Sequence, residues 1–217
     1  GQADNTELVI TDAAWSDLNP LFQDDTSSSF ISGATMDPLI YYDADLSVWP
    51  HLAESYTMLN DTTLEIVARE GIPWGADPDG GTGEFFDIED VYFTLFAWKY
   101  LSNDQQVYDW IEVMEMDQSQ RKLTIYIDGD PDTPENEPYA PFLPSVSLNI
   151  LPEHWLNQTQ DVAGLPDVTD ASWNTFATKC FGTDLFEIET FTEGVETILS
   201  VKPDCWKMNT TTTADPD

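Results

Sequence analysis

The sequence predicts a mixed α/β fold, with α+β character, and three observations carry that prediction. Residues 49–98 read as a β-hairpin, an acidic glycine-rich loop and then a helix. Two further pairs of short alternating runs, 111–116 with 123–127 and 185–191 with 196–201, read as hairpins. Residues 7–11 (Glu-Leu-Val-Ile-Thr) are apolar enough for a central strand.

In chain order, the strand at 7–11 is followed by a loop at 12–17. A helix and its exit are expected over 27–40, with Phe30, Ile31, Met36 and Leu39 buried. Tyr56, Met58, Leu64, Ile66 and Val67 lie in two strands joined at Asn60-Asp61, a pair that tolerates turn geometry. Four glycines and a proline between 75 and 83 exclude regular structure there. Asp87 is a good N-cap for the next helix, and Glu89 and Asp90 put negative charge in its first turn, where the helix dipole favours it. Val91, Leu95 and Trp98, flanked by Phe93 and Phe96, give that helix a broad apolar face. The strands at 111–116 and 123–127 meet through Gln118-Ser119, and residues 128–138 form an acidic, proline-rich loop. Residues 157–174 are polar, with room for one helical turn. The last hairpin turns at Glu193-Gly194, and residues 208–217 form a threonine-rich tail or linker.

Composition narrows the function. A chain of 217 residues, 41% hydrophobic and 12% aromatic, can bury a core as one large domain or two small ones. A net charge of −34 with only 7 Lys+Arg leaves no basic surface to neutralise phosphates, so nucleic acid is excluded as a partner, and docking on anionic lipid is disfavoured. No apolar run approaches the roughly 20 residues that span a bilayer. Gly1 followed by polar residues reads as a processed or an engineered start. His51 and His154 read as structural, and serines 27–29 lack a base, so no catalytic constellation is expected.

The longest ordered pattern runs through Pro50, Leu52, Ala53, Glu54, Ser55, Arg69, Gly71, Trp74, Glu89, Asp90, Val91, Phe93 and Thr94. It resembles family 5 of the solute-binding proteins, the dipeptide-, oligopeptide- and nickel-binding receptors of ABC importers. Leu18, Pro20, Leu39 and Asp43 extend the resemblance towards the N-terminus. Phe142, Leu148, Ile150, Leu151, Pro152 and His154 extend it onward, as do Gly182, Thr183, Phe186, Gly194, Ile198, Pro203 and Trp206. Asp37 stands where the family usually has glutamate. Asp184, Leu185 and Cys205 depart from its last motif.

The resemblance covers residues 7–207 and corresponds to the first part of such a receptor. It implies a periplasmic-binding-protein-like type II first lobe with an inserted hairpin-and-helix subdomain. Residues 1–50 and 176–207 would form the core lobe, and 51–175 the insertion. It also implies an extracytoplasmic location, a peptide or small-molecule solute and a membrane ABC permease as partners, and clamshell closure as the mechanism. Carried over by position, the solute side of this lobe would include Ala13, Ala14, Trp15, Ser28, Ser29 and Phe30. An alternative of another class is a structural cell-surface protein, a self-associating filament or surface-layer subunit reusing the fold.

Other residues carry expectations of their own. Cys180 and Cys205 leave metal, free thiol or disulfide open by count. Folding the last hairpin brings their neighbourhoods together, which favours a cross-hairpin disulfide. No cofactor is implied, but alternating oxygens at Asp128, Asp130, Asp132 and Glu135 suit Ca²⁺, and Asp77, Asp79, Glu84 and Asp87 offer a second such loop. Asn60, Asn157 and Asn209 head glycosylation sequons.

Overall fold

The computed structural model describes residues 14–192 and 195–208. The expected strand at 7–11, the turn at Glu193-Gly194 and the tail beyond Met208 lie outside the described residues.

The chain runs through helix α1 (Thr26–Thr35), strands β1 (Ile40–Tyr42), β2 (Val48–Pro50), β3 (Ala53–Asn60) and β4 (Thr63–Ala68), and helix α2 (Ile88–Tyr100). Then come β5 (Ile111–Asp117), β6 (Lys122–Ile127), three short helices α3 (Phe142–Ser145), α4 (Glu153–Leu156) and α5 (Ala171–Phe176), and the hairpin β7 (Phe186–Thr192) and β8 (Glu196–Val201). Among the described residues three antiparallel sheets result: β1-β2, β3-β4-β6-β5 and β7-β8. The mixed α/β class and all three expected hairpins are present.

The four-stranded sheet shows why one period fixes a core. Leu64, Ile66 and Ala68 alternate with half-exposed neighbours in β4, as Leu123, Ile125 and Ile127 do in β6, and all six are buried. Helix α2 lies over these strands with Val91 and Leu95 fully enclosed. Each such aliphatic side chain contributes about 2 kcal/mol by leaving water. The Asn60 amide oxygen accepts from Thr62 N at 2.9 Å, which closes the β3–β4 turn. The turn from β5 to β6 ends on Arg121 at φ 54°, ψ 37°, a left-handed conformation that favours glycine.

Helix α2 is held at its first turn. Asp87 accepts from Glu89 N and Asp90 N, and Asp90 accepts from Asp87 N, completing a capping box. Asp90 is also buried and accepts from Glu153 N at 2.9 Å and Trp74 Nε1 at 3.2 Å. Thr94 Oγ1 accepts from Leu151 N at 2.9 Å, so the helix start is stitched to the segment that opens α4. Burial pushes the Asp90 carboxyl up to about 8, against the lowering effect of its N–H donors. An acid whose folded value is raised favours the fold when protonated, so this contribution is lost as pH rises from about 4, its unfolded value, through 8. The urea midpoint is expected to fall between pH 5 and pH 9, and Asp90→Asn to flatten that fall. Asp90→Ala, which strands three donors, is expected to cost about 2–3 kcal/mol throughout. An unchanged pH slope in Asp90→Asn would refute this account.

A second polar knot was not visible in the sequence. Asp37, just past α1, is fully enclosed. Its carboxylate receives Thr183 Oγ1 at 2.8 Å, Trp206 Nε1 at 2.9 Å, His51 Nε2 at 2.7 Å and Lys207 Nζ at 2.6 Å. Burial pushes its carboxyl up, but the His51 hydrogen bond and the Lys207 charge together hold it well below the usual carboxylate range. Lys207 also reaches Asp184 at 2.6 Å, whose carboxyl is raised by burial and by the charge on Asp37.

Close packing joins α1 to the segment before β7. The buried face of α1 is small and polar: Ser27, Ser28, Ser32 and Thr35. Gly182 lies against its end, where a Cβ would stand 2.7 Å from Met36 Cα and press on the Thr35 carbonyl. The Gly182 carbonyl accepts from Lys202 Nζ at 2.8 Å and Gly75 N at 2.9 Å. Met36 and Leu39 are buried as expected, but Phe30 is 54% exposed, because this helix packs through its hydroxyls and turns that ring outward.

The expected Cys180–Cys205 disulfide is corrected: both are buried free thiols. The paired strands end at Phe186 opposite Val201, and beyond them the two arms follow different paths. Cys180 Sγ sits 3.2 Å from Thr35 Oγ1 under α1, while Cys205 Sγ faces the Thr183 carbonyl at 3.9 Å. Burial pushes the Cys180 thiol up to about 12.

Candidate functional site

The two stretches nominated for solute contact, one in a loop and one in a helix, are brought together by a residue outside the nominated set. Asp25 is the N-cap of α1 and accepts from Ser28 N at 2.7 Å and Ser28 Oγ at 2.6 Å. It also accepts from Ser16 N at 2.9 Å and Ser16 Oγ at 2.7 Å. Ser16 Oγ further reaches Asp24 at 2.9 Å. Burial pushes the Asp25 carboxyl up, but the four hydrogen bonds from Ser28 and Ser16 together outweigh it and hold the group well below the usual carboxylate range. The loop carrying Ala14 and Trp15 is thereby pinned to the first turn of α1. The sequence signal was present: an aspartate ahead of Thr26-Ser27-Ser28 is an N-cap pattern.

Trp15 is half-buried against the last hairpin. Its ring centroid is 4.4 Å from that of Phe191, and its Nε1 donates to Thr197 Oγ1 at 3.1 Å. Neither Phe191 nor Thr197 was nominated from the sequence, because only the fold carries residues 191 and 197 back to residue 15. Ala14 is exposed; Ser28 is buried and spent on Asp25 and Ser16; Ser29 is exposed; Phe30 projects from the helix. Ala13 lies outside the described residues. The resulting surface carries an aromatic ledge and an outward phenyl ring, and the exposed Ser29 hydroxyl donates to the Asp25 carbonyl at 3.1 Å.

His51 is bonded to Asp37, His154 stands 3.2 Å from Asp77, and among the described residues no serine hydroxyl is hydrogen-bonded to either.

The proposed Ca²⁺ loops are corrected. Asp128 Oδ1 accepts from Asp130 N at 3.1 Å and Glu137 N at 3.3 Å, and Asp130 Oδ1 accepts from Asp132 N at 3.2 Å. Asp128 and Asp130 are thus turned onto the amides of their own loop, and with Asp132 and Glu135 they do not converge on a common point. Among the described residues, no group of three or more His, Cys, Asp or Glu side chains could hold a metal ion, and this includes the loop at Asp77, Asp79, Glu84 and Asp87. Of the sequons, Asn60 is exposed at a hairpin turn. The Asn157 Nδ2, the atom a glycan would occupy, donates to Glu153 at 2.8 Å. Asn209 lies outside the described residues. Among those described, no helix is long and apolar enough to cross a membrane.

No family model matches the chain, and no curated protein matches it. Solved structures do. The periplasmic binding protein DppA from Helicobacter pylori, in complex with the peptide STSA, superposes with a TM-score of 0.69 at 20% identity, over 89% of this chain and 38% of that one. The oligopeptide-binding protein AppA from Bacillus subtilis, in complex with a nonapeptide, gives 0.67 at 19% identity, over 92% and 36%. NikZ from Campylobacter jejuni, in complex with Ni(L-His), gives 0.66 at 20% identity, over 88% and 34%. The chain spans little more than a third of the length of these proteins. What it shares with them is therefore the fold of one part of a periplasmic-binding-protein-like molecule.

Proposed function

We propose that this chain forms the first lobe of an extracytoplasmic, peptide-type solute-binding receptor that serves an ABC importer. The observation that carries the reading is the shared fold over nearly all of this chain with proteins described as binding peptides or a nickel complex. Residues 1–50 and 176–207 supply the core lobe and 51–175 the insertion. Ala14, Trp15, Ser29 and Phe30 face the solute, with Phe191 and Thr197 backing Trp15, and Asp25 and the buried Ser28 fixing the loop to the helix. The solute stabilises a closed state by contacts made only when both lobes engage it. Recognition by an aromatic ledge and hydroxyls tolerates varied side chains, as a carrier of many peptides requires.

The test uses the full-length polypeptide. The tetrapeptide Ser-Thr-Ser-Ala, a nonapeptide mixture and the nickel–histidine complex are offered as probes, and thermal unfolding is recorded. One probe is expected to raise the midpoint, by about 2.7 kcal/mol of added stability at a hundredfold excess over Kd. Trp15→Ala is expected to weaken that probe about tenfold, equivalent to 1.4 kcal/mol. No stabilisation by any of the three overturns the reading.

A further inference from the structure

Arg69 and Arg121 are the only arginines among the 217 residues, and both line one cavity of about 290 Å³. Glu54, Glu70, Gly71, Ile72 and Trp206 complete its wall. It shares no residue with the Trp15 surface. In a chain of net charge −34 this pairing of cations is a local exception.

The two guanidinium groups are differently held. Arg69 donates from Nε to the His51 carbonyl at 2.9 Å and lies over the Trp206 ring, 5.5 Å from its centroid. Arg121 donates from Nη1 to the Ala68 carbonyl at 2.7 Å, which fixes the plane of its fork, and its Nη2 meets Glu54 at 3.0 Å. That ion pair is solvent-facing, with the Glu54 side chain 52% exposed, so Glu54 is readily exchanged for another carboxylate. Glu70 is exposed and makes no hydrogen bond or ion pair among the described residues. The backbone supplies an independent indication. Arg121 occupies a left-handed conformation in which glycine or asparagine is more at ease, so the side chain is kept there against a local cost.

We propose that this cavity binds a free α-amino acid with an apolar side chain. Its carboxylate takes Arg121 Nη2 in place of Glu54, its ammonium pairs with Glu70 and the released Glu54, and its side chain lies along Ile72 and Trp206. After the exchange Arg121 and both glutamates are partnered, Glu70 for the first time. A simple anion would be repelled by the −34 field of the molecule, whereas a zwitterion carries no net charge into it. The volume lies at the small end of ligand cavities, which suits one residue and not a peptide.

The experiment titrates the full chain with L-leucine, N-acetyl-L-leucine and L-leucinamide, read by calorimetry and thermal shift. Leucine is expected to bind. The acetylated form lacks the ammonium and the amide lacks the carboxylate, and each is expected to bind at least tenfold more weakly. Arg121→Asn suits the left-handed backbone and is expected to keep a cooperative thermal transition while losing leucine at least tenfold. Glu70→Gln, which removes no existing contact, is expected to weaken leucine as well. The proposal is overturned if leucine does not bind, if either blocked analogue binds as well, or if both variants retain leucine. It is also overturned if Trp15→Ala abolishes the leucine signal while Arg121→Asn keeps it, since leucine would then be reporting on the solute surface. The proposed receptor role stands or falls separately, on the peptide and nickel–histidine probes.

Discussion

Replacing Asp37 with alanine is expected to destabilise the protein by about 3–5 kcal/mol, the usual consequence of removing one partner from an enclosed charge pair. For a chain of this size that lowers the thermal midpoint by about 10 °C. Four donors converge on this carboxylate, from His51, Thr183, Trp206 and Lys207, and alanine leaves all four without it. Asp37→Asn keeps acceptor capacity for Thr183 and Trp206 but not the charge opposite Lys207, so an intermediate loss is expected. The pH dependence has a fixed sign. The carboxyl of Asp37 is lowered in the fold, so its contribution is present above its unfolded value of about 3.9 and is lost as pH falls below it. The ammonium of Lys207 is raised, burial opposing and Asp37 favouring the charge, so its contribution is present below about 10.4 and is lost as pH rises further. The knot is therefore at full strength between about pH 5 and pH 10. Urea unfolding across that range checks this, and a loss under 1 kcal/mol in Asp37→Ala would refute it. Because Asp37 is enclosed, added salt is expected to change the difference little.

Gly182→Ala is expected to cost about 3 kcal/mol, at the upper end for an added methyl group. The new carbon would meet backbone on α1 and not a yielding side-chain tip. Relief requires Gly182 to move, and its carbonyl is the acceptor for Lys202 Nζ and Gly75 N. Lys202 is buried, and burial already pushes its ammonium towards neutrality, so loss of that acceptor compounds the effect. Gly33, in the same helix, is the contrast: nothing lies within 4 Å of a Cβ there. Gly33→Ala is expected to raise stability by about 0.5–1 kcal/mol through the better helix propensity of alanine. Paired denaturation of the two variants is the measurement, and equal effects would show that the packing at Gly182 is not tight.

The local features were legible because short-range chemistry decides them. Asp87 followed by Glu89 and Asp90 specifies a helix start, and the alternation of Leu123, Ile125 and Ile127 specifies a strand and its inner face. Joining of distant parts was not legible. The buried side of α1 is made of serine and threonine, so periodicity of apolar residues pointed Phe30 inward when the fold points it outward. Hairpin logic placed the neighbourhoods of Cys180 and Cys205 together but could not say that each thiol would turn to a different threonine. Density of aspartate suggested cation binding at Asp128 and Asp130, yet a short acidic side chain next to a free amide closes a turn more readily than it waits for an ion. At the proposed solute surface, Trp15 was nominated from its position, whereas its contacts with Phe191 and Thr197 and the anchoring by Asp25 needed the tertiary arrangement.

The knot around Asp37 also constrains the order in which the molecule is made. Its members sit at 37, 51, 183, 184, 206 and 207, so they span nearly the whole described chain. During synthesis, at about 5–20 residues per second, residue 37 leaves the ribosome many seconds before residue 207. Through that interval an ionised Asp37 has no reason to leave water, and the exit of the first helix stays unsealed. Completion waits for Trp206 and Lys207, which makes this contact a long-range step that comes well after residue 37 has emerged.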